Sequence, residues 1–149
     1  MVFERETRIG APISEVFAFF SDPKNLARIT PPSMGFRILK APERSLREGD
    51  RIDYQIRILG LPLRWRTLIT EWDEGHAFAD FQEKGPYRHW LHRHTFTEVG
   101  NEVVMHDRVD YELPLGIPGR IFGGAFVRRQ IRKIFDYREG AIGSFLARN

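Results

Sequence analysis

Hydrophobic and polar positions along the chain change period twice. Residues 2–9 alternate without interruption, which predicts a first strand. The spacing then becomes helical. Ile13, Val16, Phe17 and Phe20 stand at i, i+3, i+4 and i+7, behind an Ala11-Pro12 opening suited to a first helical turn. Ser21-Asp22-Pro23 stops that helix and caps a second short one through Leu26 and Ile29, which Thr30-Pro31-Pro32 ends. After Gly35 the period falls to two. Residues 36–39 predict a brief strand and residues 42–49 a polar loop. Residues 51–59 alternate, with Ile52, Tyr54, Ile56 and Ile58 on one face, and Leu63, Trp65, Thr67 and Ile69 continue it beyond the Gly60-Leu61-Pro62 turn. Residues 77–83 predict a strand of ambiguous facing, because Phe78 and Phe81 have opposite parity. Residues 87–97 and 102–113 complete a set of seven strands.

The last zone is helical again. Within residues 118–146, Val127, Ile131, Ile134, Phe135, Ala141, Ile142 and Phe145 recur at steps of three and four. Arg128, Arg129, Arg132, Lys133, Asp136 and Glu139 fall opposite. These cations suit a solvated face, with a partner or acidic lipid headgroups as the alternative. Gly123-Gly124 marks a kink or the true start of the helix. Arg138 interrupts the apolar stripe, so its charge needs a partner, the rim or a ligand. The element order is strand, two helices, six strands joined mainly by short turns, and one long helix. It defines an α+β antiparallel meander with the long helix covering the apolar sheet face.

The hairpin 87–113 carries the chemistry. Trp90, His92, His94 and Phe96 share a face, and a tight turn at Val99-Gly100 sets Glu98 opposite Asn101. Counting back places His94 opposite Met105, His92 opposite Asp107 and Trp90 opposite Val109. Polar groups on an otherwise apolar inward face indicate a cavity with a few convergent polar groups. The expected lining is Tyr54, Trp65, Thr67, Trp90, His92, His94, Met105, Asp107, Tyr111 and Arg138, with Phe122 and Phe126 near the mouth. The competing reading makes His92–Asp107 and Arg138 a satisfied internal network of structural value.

Composition narrows the classes. A chain of 149 residues with 42% apolar and 29% charged residues predicts one globular domain spanning 1–149. No apolar run reaches the ~18 residues of a membrane span. Residues 1–6 show no secretory leader pattern, and the chain has no cysteine, which together favour the cytoplasm. The net charge of +3 comes without a helix-turn-helix or an RNP-type motif, so nucleic acid is not an expected partner.

Ala11-Pro12-Ile13-Ser14-Glu15-Val16-Phe17 with Ser21-Asp22-Pro23-Lys24-Asn25-Leu26 is similar to the opening of the SRPBCC superfamily, which includes START lipid-transfer domains, the birch-pollen allergen and polyketide cyclases. Gly85-Pro86-Tyr87, Trp90, His92, His94, Phe96, Asp107, Val109, Tyr111, Leu113-Pro114-Leu115-Gly116 and Phe135-Asp136-Tyr137-Arg138 resemble a bacterial ligand-binding branch. The resemblance implies a helix-grip fold, a seven-stranded sheet around the C-terminal helix with a hydrophobic tunnel between them. It transfers no catalytic residue.

The leading expectation is a binding protein for a small hydrophobic molecule (lipid, polyketide or isoprenoid-like) with a polar or acidic head, without cofactor or metal. The alternative is a cyclase, dehydratase or hydrolase using His92 oriented by Asp107 as an acid–base pair. A third reading takes His92, His94 and Asp107 as a two-histidine, one-carboxylate metal triad.

Overall fold

The computed structural model describes residues 1–146. Its strands are β1 (Val2–Ile9), β2 (Arg37–Lys40), β3 (Arg51–Ile58), β4 (Leu61–Asp73), β5 (Ala77–Lys84), β6 (His89–Val99) and β7 (Glu102–Glu112). Helices α1 (Ile13–Ser21) and α2 (Asn25–Arg28) follow β1, with a 3-10 turn at Pro32–Met34, and α3 (Gly116–Leu146) closes the chain. All strands join one antiparallel sheet in the order β1-β7-β6-β5-β4-β3-β2. The fold is α+β, with the long helix gripped by the sheet.

α3 starts two residues before the expected Pro118 and runs through Gly123 and Gly124. Leu115 and Gly116 enter it with φ of 70° and 56°. Gly119 must lack a side chain, because a Cβ there would collide with the Pro114 carbonyl. The helix lays Ile131, Phe135, Ile142 and Leu146 on the sheet, whereas Phe145, expected in the stripe, is half exposed. Arg5 of β1 fixes its outer side, bonding Asp136 at 2.7 Å and Glu139 at 3.2 Å.

The apolar core is densest at one end. Ile9, Val16, Phe17, Phe96, Val103, Met105 and Ile142 pack there among α1, the β6–β7 hairpin and the end of α3. Phe17 meets Trp72, Phe78 and Phe96 edge-on at 5.2, 6.1 and 5.5 Å.

The β6–β7 register departs from expectation by two residues. Val99 pairs with Glu102 across a Gly100-Asn101 loop, so His94 faces Asp107, Phe96 faces Met105, His92 faces Val109 and Trp90 faces Tyr111. Gly100 takes a φ of 62°, which lets two residues close the hairpin. Because side chains alternate with period two, a slip of two leaves every inward residue inward.

Candidate functional site

Between the sheet and α3 lies a cavity of about 300 Å³, the size class of small-molecule sites. Its exposed lining residues, Arg57, Pro114 and Phe126, mark the mouth. Aromatic rings form much of one wall. Tyr54 stacks on Trp65 at 5.8 Å, Trp90 meets Trp65 at 5.3 Å, and Tyr87 packs on Trp90 at 4.7 Å. Tyr87 sits on the loop between β5 and β6. Gln82 holds it there, donating to its carbonyl at 2.7 Å and accepting from its N–H at 3.2 Å. Burial pushes the Tyr54 and Tyr87 phenols up, so both stay protonated.

A polar corner interrupts these walls. His92 Nε2 lies 2.8 Å from Asp107 Oδ1, and His94 Nδ1 approaches the same oxygen at 3.0 Å. The second contact is ionic rather than a directed hydrogen bond, since His94 Nδ1 and Asp107 Oδ2 both lack a hydrogen-bond partner among the described residues. On the other side His94 Nε2 lies 2.8 Å from Asp80 Oδ2, and His92 Nδ1 lies 3.9 Å from it. The imidazoles overlap at 3.8 Å, and Phe78 covers His94 at 4.2 Å. Two closely packed histidines are thus held between two carboxylates, with Asp107 behind them and Asp80 on the cavity wall.

Burial alone would push Asp107 up, but the hydrogen bond from His92, the close contact of His94 and the charge of both hold it well below the usual carboxylate range. Burial likewise opposes Asp80, whose carboxyl the charge of His92 and the bond from His94 bring down. Burial and the charge of its neighbour lower His92, whereas the close Asp107 carboxylate and the bond to Asp80 overcome burial and raise His94. His94 therefore takes the proton first. Arg138 completes the corner. Burial pulls its guanidinium down against the attraction of Asp107 and Asp80. Its Nε donates to the Ile29 carbonyl at a long 3.5 Å and its Cζ sits 5.2 Å from the Phe135 ring centre. It has no ion pair among the described residues. With His94 protonated, two anions face two cations.

Of the residues expected at the site, Tyr54, Trp65, Thr67, Trp90, His92, His94, Phe126 and Arg138 line the cavity. Met105 does not, because it is buried in the solid core beside α1. Tyr111 packs under Trp90 and Tyr87 against α3, and Asp107 is shielded by the histidines it binds. Phe122 is 88% exposed and lies outside. Asp80 was not among the expected residues. Its parity with Phe78 and Gln82 is the signal for it, masked by outward Phe81 packing on His89 at 5.8 Å. The triad of the third reading also changes composition. Asp80, His92 and His94 are the group whose ligand atoms converge, within 4.8 Å of one another, and Asp107 stands behind both rings.

The chain matches the family model described as polyketide cyclase / dehydrase and lipid transport over residues 1–141, and belongs to that family within the SRPBCC superfamily. Solved structures share the fold at low identity. A START superfamily protein from Mycobacterium smegmatis aligns at TM-score 0.72 with 14% identity, covering 96% of this chain and 97% of its own. An aromatase/cyclase from Streptomyces sp. R1128 aligns at 0.72 with 15% identity, covering 95% and 90%. A major latex-like protein from Panax ginseng aligns at 0.66 with 14% identity, covering 94% and 95%. No curated protein matches the chain. No helix among the described residues is long and apolar enough to cross a membrane.

Proposed function

We propose that the cavity binds an apolar, partly unsaturated small molecule whose acidic or carbonyl head lies against Arg138, beside His92. The observation that carries this is Arg138. A half-buried guanidinium without an ion pair among the described residues stands at the polar corner of an aromatic-walled cavity, and a ligand carboxylate would supply a partner. The aromatic wall offers π-faces to a flat or unsaturated body.

Dodecanoate and dodecanol separate head from tail. Wild type should bind dodecanoate more tightly, and Arg138→Gln should weaken dodecanoate about tenfold, roughly 1.4 kcal/mol, while leaving dodecanol unchanged. Equal affinities of wild type for the two probes would sink the reading.

One observation favours a second reading. His92 is the imidazole kept neutral, and Asp107 binds its Nε2, which leaves Nδ1 as the base nearest the cavity carboxylate. That arrangement suits proton abstraction beside a carbonyl, with Arg138 meeting the developing enolate and the charge of protonated His94 nearby. Turnover of a polyketone that disappears in His92→Gln, while dodecanoate binding persists, would favour catalysis over carriage.

A further inference from the structure

We propose that the mouth of the cavity docks on an anionic lipid bilayer, so that an apolar ligand moves between membrane and cavity without crossing water. The transfer rests on the ligand reading above; the docking does not. Both lips of the mouth carry large apolar side chains turned to solvent. Leu59 and Leu61 stand at the tip of the β3–β4 hairpin, and Ile117, Ile121, Phe122 and Phe126 on the first turns of α3. The cavity identifies them as two sides of one opening, because Arg57 and Ile58 line it from the hairpin and Pro114 and Phe126 from the helix side. Single exposed apolar residues are ordinary; a set ringing the opening of an apolar cavity is an interaction surface.

Charge selects the occupant. Between Gly116 and Phe135, α3 carries Arg120, Arg128, Arg129, Arg132 and Lys133 and no acid. Its acids, Asp136 and Glu139, are turned to Arg5 on the far side. The hairpin repeats the pattern, with exposed Arg57 and Arg64 and no acid between Ile56 and Thr70. Along α3, Phe122, Phe126, Arg129 and Lys133 fall in one stripe at steps of three and four, apolar toward the N-terminal end and basic behind. Such a helix end can sink its rings below the headgroups while its cations meet the phosphates. A second copy of the chain would set these cations against their own kind, which disfavours a symmetric dimer on this face.

Co-sedimentation with phosphatidylcholine vesicles, with and without about 30% phosphatidylglycerol, tests the proposal. The protein should partition onto the anionic vesicles at least about tenfold better than onto the neutral ones, and raising salt from about 0.1 to 0.5 M should remove most of that gain. Phe122→Asp with Leu59→Asp should lower binding about tenfold without changing the thermal midpoint, because both side chains stand in solvent. Arg129→Glu with Lys133→Glu should abolish the anionic preference. Indifference to phosphatidylglycerol, no vesicle binding at all, or self-association through the patch in its place would each overturn docking. Dodecanoate binding without vesicle binding would overturn docking and leave the ligand reading standing; vesicle binding without dodecanoate binding would do the reverse.

Discussion

One sheet face supports two different interiors beneath the same helix. At the α1 end, Phe17 and Phe96 interlock with Val16, Val103, Met105 and Ile142, and the space is filled. At the β3–β4 end, Ile52, Ile56, Trp65 and Thr67 are equally buried yet line a cavity of about 300 Å³. Burial therefore does not distinguish them. The filled half has complementary rings from α1 pressing on the strands, whereas over the hollow half α3, through Ile131 and Ile134, and the α2 segment, through Leu26, Ile29 and Met34, roof a space left open above the sheet. The filled end supplies stability and the hollow end holds the reactive groups.

The largest effect should come from removing a ring at the filled end. Phe17→Ala should cost about 4 kcal/mol, because three aromatic neighbours lose their contact and little can collapse into the gap. Ile134→Ala, on the hollow side of α3, should cost only about 1 kcal/mol, since its side chain already borders space. Denaturant unfolding of both variants checks this, and similar costs would show that the two ends are packed alike.

Next comes the polar corner. Asp107→Asn should cost about 3 kcal/mol, since it strips two buried imidazoles of their carboxylate. The pH dependence has a defined sign. Asp107 and Asp80 are held below their unfolded values, so they contribute stability above the ordinary carboxylate range of about 4 and lose it as pH falls through the folded values. His94, raised when folded, adds stability below about pH 6.5 that is lost as pH rises through its folded value; lowered His92 acts oppositely and partly cancels it. Asp107→Asn should flatten the acid limb. An unchanged limb would mean that these carboxylates do not govern acid unfolding.

Parity made most of this architecture legible in the sequence. Trp90, His92, His94 and Phe96 point inward as their alternation requires, and Asp107 belongs to the same network despite the two-residue slip. Three things were hidden. The slip itself depends on which two residues close the hairpin, a backbone choice that either register leaves compatible with the hydrophobic pattern. Asp80 was obscured because Phe81 found a partner, His89, on the sheet's outer face, making an outward position look like core. Met105 and Asp107 have the same parity, yet one is packed solid and the other sits behind a cavity. Alternation reports which face a residue is on, never whether anything fills the space above it.

The smallest expected effect is the most discriminating, because it adds volume to each end rather than removing it. Val16 is fully buried in the filled half and Ile56 is buried on the cavity wall. A phenyl ring at Val16 has nowhere to go, so Val16→Phe should cost about 2 kcal/mol through off-rotamer side chains and backbone shifts. At Ile56 the same ring can enter the void, so Ile56→Phe should change stability by less than about 1 kcal/mol, of either sign. It should nevertheless exclude dodecanoate, because the added ring occupies volume the ligand needs. A stability loss at Ile56 matching that at Val16 would mean that the hollow is closed in solution. Retained dodecanoate binding would place the ligand elsewhere.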